Sequence, residues 1–147
     1  MKVADILERK GHHVYTIAPN RTLWDAASML AERNIGALIV ANDDSGMLGI
    51  ITERDLAREV CRRPERLRSA KVRDAMTSDV ASCHAHDSVR AVETLFRGRS
   101  IRHLPVYENK RLVGIISMRD VLAALYRATV DDANELRDQL ARHYVVC

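Results

Sequence analysis

Apolar and polar residues follow two different periods along this chain. Short apolar runs at residues 37–41 and 47–51 flank a polar, glycine-containing segment, a pattern that predicts two strands joined by a hairpin. After Thr22, apolar residues recur at spacings of three, four and seven, which indicates an amphipathic helix with one buried stripe. The chain therefore alternates between strand and helix, which predicts an α+β fold.

The same order of elements occurs twice. Thr22 matches Ser88 at an offset of 66 residues, whereas Thr52 matches Ser117 at an offset of 65. The difference falls in the hairpin turn, the part of a repeat where insertions are tolerated best. Each copy reads as β-α-β-β-α, opened by a short helical turn at residues 3–7 or 72–76 and by a strand at 14–17 or 80–83.

A half of about 60 residues carries only a thin core, so we expect the two halves to pack on each other about a pseudo-two-fold axis. The tail has no counterpart in the first copy, and residues 129–132 are predicted to cap a separate final helix with Leu136 and Leu140 on one face. That face packs on the chain's own core or on a second subunit; we expect a homodimer, which would cover exposed helix faces. The predicted boundaries are 1–63 for the first repeat, 64–70 for the linker, 71–128 for the second repeat and 129–147 for a C-terminal helical tail.

The strongest chemical signal lies where each copy passes from its last strand to its last helix. Residues 49–55 read Gly-Ile-Ile-Thr-Glu-Arg-Asp, and residues 114–120 read Gly-Ile-Ile-Ser-Met-Arg-Asp. A helix N-terminus favours anions such as phosphate, and the Asp one turn on can accept hydrogen bonds from a ribose diol. The same Ser/Thr-x-x-Asp spacing is also a capping box that satisfies the helix's own amides, so both interpretations stay open.

Composition narrows the class of protein. With 47% apolar and 29% charged residues the chain is neither disordered nor membranous, and it lacks an apolar run of membrane-spanning length, so we expect a cytoplasmic protein. Cys61, Cys83 and Cys147 are widely spaced, which favours reduced thiols. The net charge of +3 with few aromatic residues does not match the composition of a single-strand nucleic-acid binder. The arginine run at residues 58–71 contains acidic residues and reads as a solvated linker.

Metal and catalytic sites find little support. His12-His13 and residues 83–86 contain zinc-type ligands, but a strand points neighbours to opposite faces, so we expect no metal site. Neither a nucleophile with its base nor a glycine-rich phosphate loop can be recognised, and we expect no enzyme activity. Arg54 and Arg119 recur at matched positions, where they would either reach a phosphate or form ion pairs along the helix.

The repeats resemble a known family, the tandem cystathionine-beta-synthase (CBS) domain pair, a regulatory module that binds adenosyl ligands. The resemblance rests on both Gly-Ile-Ile-Thr/Ser-x-x-Asp motifs, on Ile-Gly-Ala-Leu-Ile-Val at residues 35–40, on Ile-Arg-His-Leu-Pro-Val at 101–106 and on Val-Arg-Asp-Ala-Met-Thr at 72–77. It covers residues 1–128. It implies two clefts between the repeats, each holding an adenosine whose phosphate contacts Thr or Ser and whose ribose contacts Asp.

Carried over to this sequence, the resemblance implies two sets of binding residues. The first set is Thr52, Asp55, Ser82, Cys83, Ile101, Arg102 and His103. The second set is Ser117, Asp120, Thr16, Ile17, Ile35, Gly36 and Ala37. Arg102 and His103 favour the first site for a charged nucleotide. Ile39 stands where the second copy has Pro105, which suggests that the two sites differ.

Three functions follow from these observations. The first is a metabolite sensor that binds AMP, ADP, ATP, NAD(H) or S-adenosylmethionine and signals to an effector protein in trans. The second is a ligand-free scaffold for protein interactions, in which the caps are only caps. The third, a weak nucleic-acid binder that uses the arginine run, is the least supported by the charge pattern.

Overall fold

The structure, a computed structural model, describes residues 1–144 and confirms the α+β class and the repeated β-α-β-β-α order. Cys147, for which we expect a reduced thiol, lies outside the described residues. The first part of the chain forms α1 (Val3–Lys10), β1 (Thr16–Ile17), α2 (Leu23–Arg33), β2 (Ala37–Asn42), β3 (Gly46–Thr52), α3 (Glu53–Arg62) and a 3₁₀ turn (Pro64–Arg66). The remainder forms α4 (Val72–Ala75), β4 (Cys83–His84), α5 (Val89–Gly98), β5 (His103–Glu108), β6 (Arg111–Ser117) and α6 (Met118–Tyr144).

Each repeat contains a three-stranded mixed sheet. β1 pairs in parallel with β2, which pairs antiparallel with β3, and β4, β5 and β6 repeat this order. The hairpin registers match, with Leu38 opposite Ile51 and Leu104 opposite Ile116. All four side chains are fully buried, so they fix which face of each sheet meets the core.

The turns of the two hairpins differ as the one-residue offset predicts. The first turn ends at Gly46, whose φ of 65° suits glycine, and the Asn42 side chain accepts a hydrogen bond from the Ser45 amide at 3.0 Å. The second turn is tighter, with Asn109 and Lys110 both at positive φ, as a two-residue hairpin requires. The extra residue of the first copy therefore lies in a turn, as expected.

The chain divides into two compact units, one of residues 13–81 and one of residues 1–12 together with residues 82 onward. In the first of these, α4 joins the first repeat, because the Val72 amide donates to the Arg21 carbonyl at 2.8 Å. In the other, α1 joins the second repeat, because the Ala4 amide donates to the Ala85 carbonyl at 2.8 Å. Each opening helix thus packs on the repeat that it does not precede in sequence.

The predicted apolar stripes lie in the cores of these units. In α2, Leu23, Ala26 and Leu30 are buried and Ala27 is partly buried, which confirms the helical spacing. Their counterparts in α5 are also buried. These residues are Val89, Val92 and Phe96.

The predicted linker is attached to α2 through its backbone. The amides of Leu23 and Trp24 donate to the carbonyls of Ala70 and Leu67 at 3.0 and 2.9 Å, which supplies partners for amides in the first turn of the helix. The Arg68 guanidinium stacks over the Trp24 ring at 3.8 Å from the ring centroid. This segment is therefore an ordered connector with one of its arginines engaged on an aromatic ring.

The predicted C-terminal helix is confirmed, but the predicted start of a separate helix at residues 129–132 is wrong. α6 runs without interruption for 27 residues, and the Thr129 hydroxyl donates back to the Leu125 carbonyl at 3.0 Å inside the helix. Its hydroxyl therefore bonds within the turn before it and does not cap a new helix. Leu136 and Leu140 are 58% and 52% exposed. Over residues 1–144, none of the helices combines the length and apolar character needed to cross a membrane.

The glycine that opens each motif is explained by close packing against the opening segment. A Cβ on Gly49 would lie 2.6 Å from the Thr77 carbonyl oxygen and 2.8 Å from the Met76 sulfur. Thr77 is held there by two backbone hydrogen bonds to Ile50, both 2.9 Å long. In the other unit, a Cβ on Gly114 would lie 2.6 Å from the Leu7 Cδ2 atom.

We expect Gly49→Ala to lower the free energy of unfolding by about 1–3 kcal/mol, because the added methyl group meets a backbone carbonyl. Urea unfolding followed by circular dichroism measures this change. Gly98→Ala in α5 is the matched control, because a Cβ there meets nothing within 4 Å; it should be neutral or slightly stabilising. Equal stability of Gly49→Ala and wild type would contradict the close packing.

Candidate functional site

The first motif is a strand end joined directly to a helix N-terminus. β3 ends at Thr52, whose hydroxyl accepts a hydrogen bond from the Asp55 amide at 3.5 Å, and the Asp55 carboxylate accepts one from the Thr52 amide at 2.9 Å. The Thr52 hydroxyl also donates to the same carboxylate oxygen at 3.1 Å. Asp55 is only 8% exposed, and its second oxygen accepts a hydrogen bond from Arg58 at 3.3 Å.

The second motif has the same geometry and a different cation. The Asp120 Oδ2 atom accepts hydrogen bonds from the Ser117 amide and from the Lys10 ammonium, both at 2.7 Å. The Asp120 amide donates to the Ser117 hydroxyl at 3.2 Å. Lys10 comes from α1, which packs in the same unit, and it also donates to the Ile115 carbonyl at 2.9 Å.

The charge of Asp120 is maintained by these contacts. Burial by itself would raise the pKa of Asp120, but the hydrogen bond and charge of Lys10 and the hydrogen bonds from Ser117 lower that pKa below its usual value. Because the folded-state pKa lies below the unfolded one, this carboxylate contributes stability above about pH 4. That contribution is lost as the pH falls through the lowered pKa.

Both motifs therefore form the hydrogen bonds of a capping box, as the capping interpretation predicted. The same reciprocal bonds occur at the start of α2, where Thr22 and Asp25 are joined at 3.1 Å in both directions, outside either motif. At α3 and α6, the amides of Glu53 and Met118 donate to carbonyls in the loop that precedes the hairpin of the same repeat, at 3.1 and 2.9 Å. Several of the amides that would hold an anion are thus engaged within the protein.

Each motif adjoins the loop and strand that begin the hairpin of its own repeat. Thr52 pairs with Ala37 across the sheet, and the neighbouring carbonyl of Gly36 accepts the first helical amide. Likewise Ser117 pairs with His103, and the carbonyl of Arg102 accepts the first amide of α6.

The structure distributes the predicted binding residues between the two units. The unit of residues 13–81 holds Thr16, Ile17, Ile35, Gly36, Ala37, Thr52 and Asp55. The other unit holds Ser82, Cys83, Ile101, Arg102, His103, Ser117 and Asp120. Both predicted sets draw on both units, and each set stays a prediction.

The first strand of each copy is shorter than predicted. β1 comprises Thr16 and Ile17, and β4 comprises Cys83 and His84, so the strand expected at residues 80–83 begins three residues later. β1 and β4 each pair in parallel with only two residues of the next strand, so each covers a small part of the sheet edge. Ser82 precedes β4, and Cys83 is 4% exposed. Burial, assisted by the charge of Asp87, raises the pKa of the Cys83 thiol to about 12.

Two functional contacts were not apparent in the sequence. Arg58 lies three residues after Asp55, a spacing that allows an ion pair on a helix, whereas the sequence suggested such pairs for Arg54 and Arg119. Lys10 lies 110 residues from Asp120, and no local pattern links them.

The histidines have partners other than a metal ion. The His84 and His86 rings stack at 5.4 Å, and His13 packs edge-on against Tyr15 at 4.2 Å. Among the described residues, there is no group of three His, Cys, Asp or Glu side chains with the geometry to hold a metal ion.

Comparisons with known proteins show which family has this repeated fold. The CBS domain model matches this chain twice, at residues 3–62 and 72–127. An uncharacterized 17.7 kDa protein of Acidianus ambivalens is 34% identical over 125 residues, which span 84% of this chain and 73% of that protein. The crystal structure of the CBS-domain containing protein ATU1752 from Agrobacterium tumefaciens superposes with a TM-score of 0.81 at 39% identity, covering 84% of this chain and 98% of the other.

A third relative has been solved with ligands. The CBS domain pair of protein MJ0100, in complex with 5′-methylthioadenosine and S-adenosyl-L-methionine, superposes with a TM-score of 0.75 at 25% identity. The match covers 88% of this chain and 98% of that structure. With two family matches that together span most of its length, this chain belongs to the CBS domain family as a tandem CBS pair.

Proposed function

We propose that this chain is a regulatory module that binds an adenosyl ligand through its two Ser/Thr-x-x-Asp motifs. The observation that carries the proposal is the duplicated junction itself, in which an Asp ordered by hydrogen bonds stands beside a hydroxyl group at a helix N-terminus. Asp55 is 8% exposed, and the Asp120 side chain is 24% exposed. The related MJ0100 pair, solved with two adenosyl ligands, supports the ligand class. The candidate ligands remain AMP, ADP, ATP, NAD(H) and S-adenosylmethionine.

The roles of the motif residues follow from their chemistry. In each motif the Asp carboxylate accepts hydrogen bonds from the ribose diol, and the Thr or Ser hydroxyl donates to a phosphate or another ligand oxygen. The remaining residues of the two predicted sets supply the walls. Neither role needs a covalent step, and we propose a module without catalytic activity of its own.

Ligand binding in such a module acts by a population shift. A ligand can favour one conformation of the module only by as much as it binds that conformation better than the other. We propose that the module is cytoplasmic and that an effector protein reads the difference in trans. The exposed leucines of α6, Leu136 and Leu140, suit a homodimer that would cover them.

The rival function is a scaffold without a ligand. The satisfied caps favour it, because Thr52, Asp55, Ser117 and Asp120 all form bonds within the protein. The two functions differ in what the carboxylates do. In the sensor they bind a ligand and stabilise a helix, whereas in the scaffold they only stabilise a helix.

We expect the wild-type protein to bind at least one of the five ligands in calorimetric titrations, and Asp55→Ala or Asp120→Ala to abolish binding at its motif by removing the ribose acceptor. The matched control is Asp25→Ala, which removes the same type of cap outside the motifs. It should lose a small part of the helix stability and retain binding. A folded wild type that binds none of the ligands, or binding that persists in the double variant Asp55→Ala, Asp120→Ala, would contradict the sensor.

We further expect Cys83 to be inert as a nucleophile. Its raised pKa keeps the thiol protonated at neutral pH, whereas Cys61 is exposed. In an alkylation experiment at pH 7.5 read by peptide mass spectrometry, Cys61 should react at least about tenfold faster than Cys83. Denaturation is the control, because it should make the two rates similar. Faster labelling of Cys83 in the folded protein would instead point to thiol chemistry.

A further inference from the structure

We propose that Lys10 is a specificity-determining residue of the Ser117/Asp120 motif and directs it toward adenosine ligands that carry a phosphate. This inference rests on the proposed function and names the ligand class for one of its two motifs. It concerns only residues of one compact unit, the one that contains α1, β6 and α6.

The ammonium of Lys10 is held in a fixed place beside the motif. Its nitrogen lies 2.7 Å from Asp120 Oδ2 and 2.9 Å from the Ile115 carbonyl oxygen. An ammonium has three N–H donors, and these contacts use two of them. The Lys10 side chain is 35% exposed, so the group is also accessible from solvent.

The ammonium of Lys10 reduces the negative charge that the second motif presents to a ligand. Asp120 Oδ2 accepts hydrogen bonds from both Lys10 and the Ser117 amide, while Ser117 carries the hydroxyl assigned to the phosphate. Without Lys10, the negative charge of Asp120 beside the Ser117 hydroxyl would repel a phosphate bound there. The positive charge of Lys10 offsets that repulsion. For a sulfonium ligand such as S-adenosylmethionine the sign reverses, because Lys10 offsets the attraction that Asp120 would exert.

The first motif has a different arrangement. Asp55 is paired with Arg58 of its own helix at 3.3 Å, and the Arg58 side chain is 54% exposed. The helix that would carry a counterpart of Lys10 is too short, because α4 has four residues and α1 has eight. Lys10 is the last residue of α1, so the added turn places it beside the motif.

The second motif is more basic than the sequence indicated. Arg102 and His103 favoured the first predicted site for a charged nucleotide, and the second was the less basic of the two. Lys10 gives the second motif a cation of its own. The two motifs are therefore expected to differ in ligand preference by charge, although their capping bonds are alike.

The test compares AMP with adenosine, which differ by the phosphate, and with S-adenosylmethionine. Titrations use the full chain with Asp55→Ala, so that the second motif is measured. We expect Lys10→Met to weaken AMP binding about tenfold, as the loss of one charge-assisted hydrogen bond implies, and to change adenosine binding less than twofold. S-adenosylmethionine should bind as well as before or more tightly. Lys10→Arg should restore most of the AMP affinity.

Lys2→Met is the matched control, because it removes the same charge at the other end of α1. It should leave the ratio of AMP to adenosine affinity unchanged, and thermal unfolding confirms that each variant is folded. An equal loss for AMP and adenosine, or tighter AMP binding in Lys10→Met, would overturn the assignment of Lys10 and leave the sensor intact. If the wild type binds none of these three ligands, the role of Lys10 is overturned, and the sensor is overturned with it only when ADP, ATP and NAD(H) also fail to bind.

Discussion

The reciprocal hydrogen bonds between a hydroxyl residue and the Asp three positions later set the geometry of both motifs. They stop β3 at Thr52 and β6 at Ser117, and they start the following helices at the next residue. In Asp55 the cap uses one carboxylate oxygen and Arg58 bonds the other, whereas in Asp120 the capping oxygen also accepts the hydrogen bond of Lys10. A ligand that uses Asp55 or Asp120 meets a group that is already ordered, so it loses little further side-chain entropy on binding.

A second constraint is the close approach of the opening segments to the motif strands. Gly49 lies against the Thr77 carbonyl, and Gly114 lies against the Leu7 side chain. The absence of a side chain at these two positions allows α4 to pack on the first repeat and α1 on the second. The packing of α1 against Gly114 is what brings Lys10 to Asp120.

The two repeats share a backbone plan and differ in charge. Both have the same strand order, matched registers and a bulge at the corresponding place in the hairpin. Their carboxylates, however, are neutralised by an arginine of the same helix in one repeat and by a lysine of a distant helix in the other. Under the proposed function, this difference in charge would let the two motifs prefer ligands of different charge.

The sequence by itself determined the repeat, the strand and helix order, the buried stripe of α2 and the capping bonds, because each depends on contacts between residues that are near in the chain or on a strict period. The sequence wrongly indicated a helix break at residues 129–132, because the Thr129 hydroxyl can bond to a carbonyl within a continuous helix. The exchange of opening helices, the tight contact at Gly49 and the pairing of Lys10 with Asp120 were decided by the tertiary structure. These join residues 28 to 110 positions apart, and only packing selects such partners from the many that composition allows.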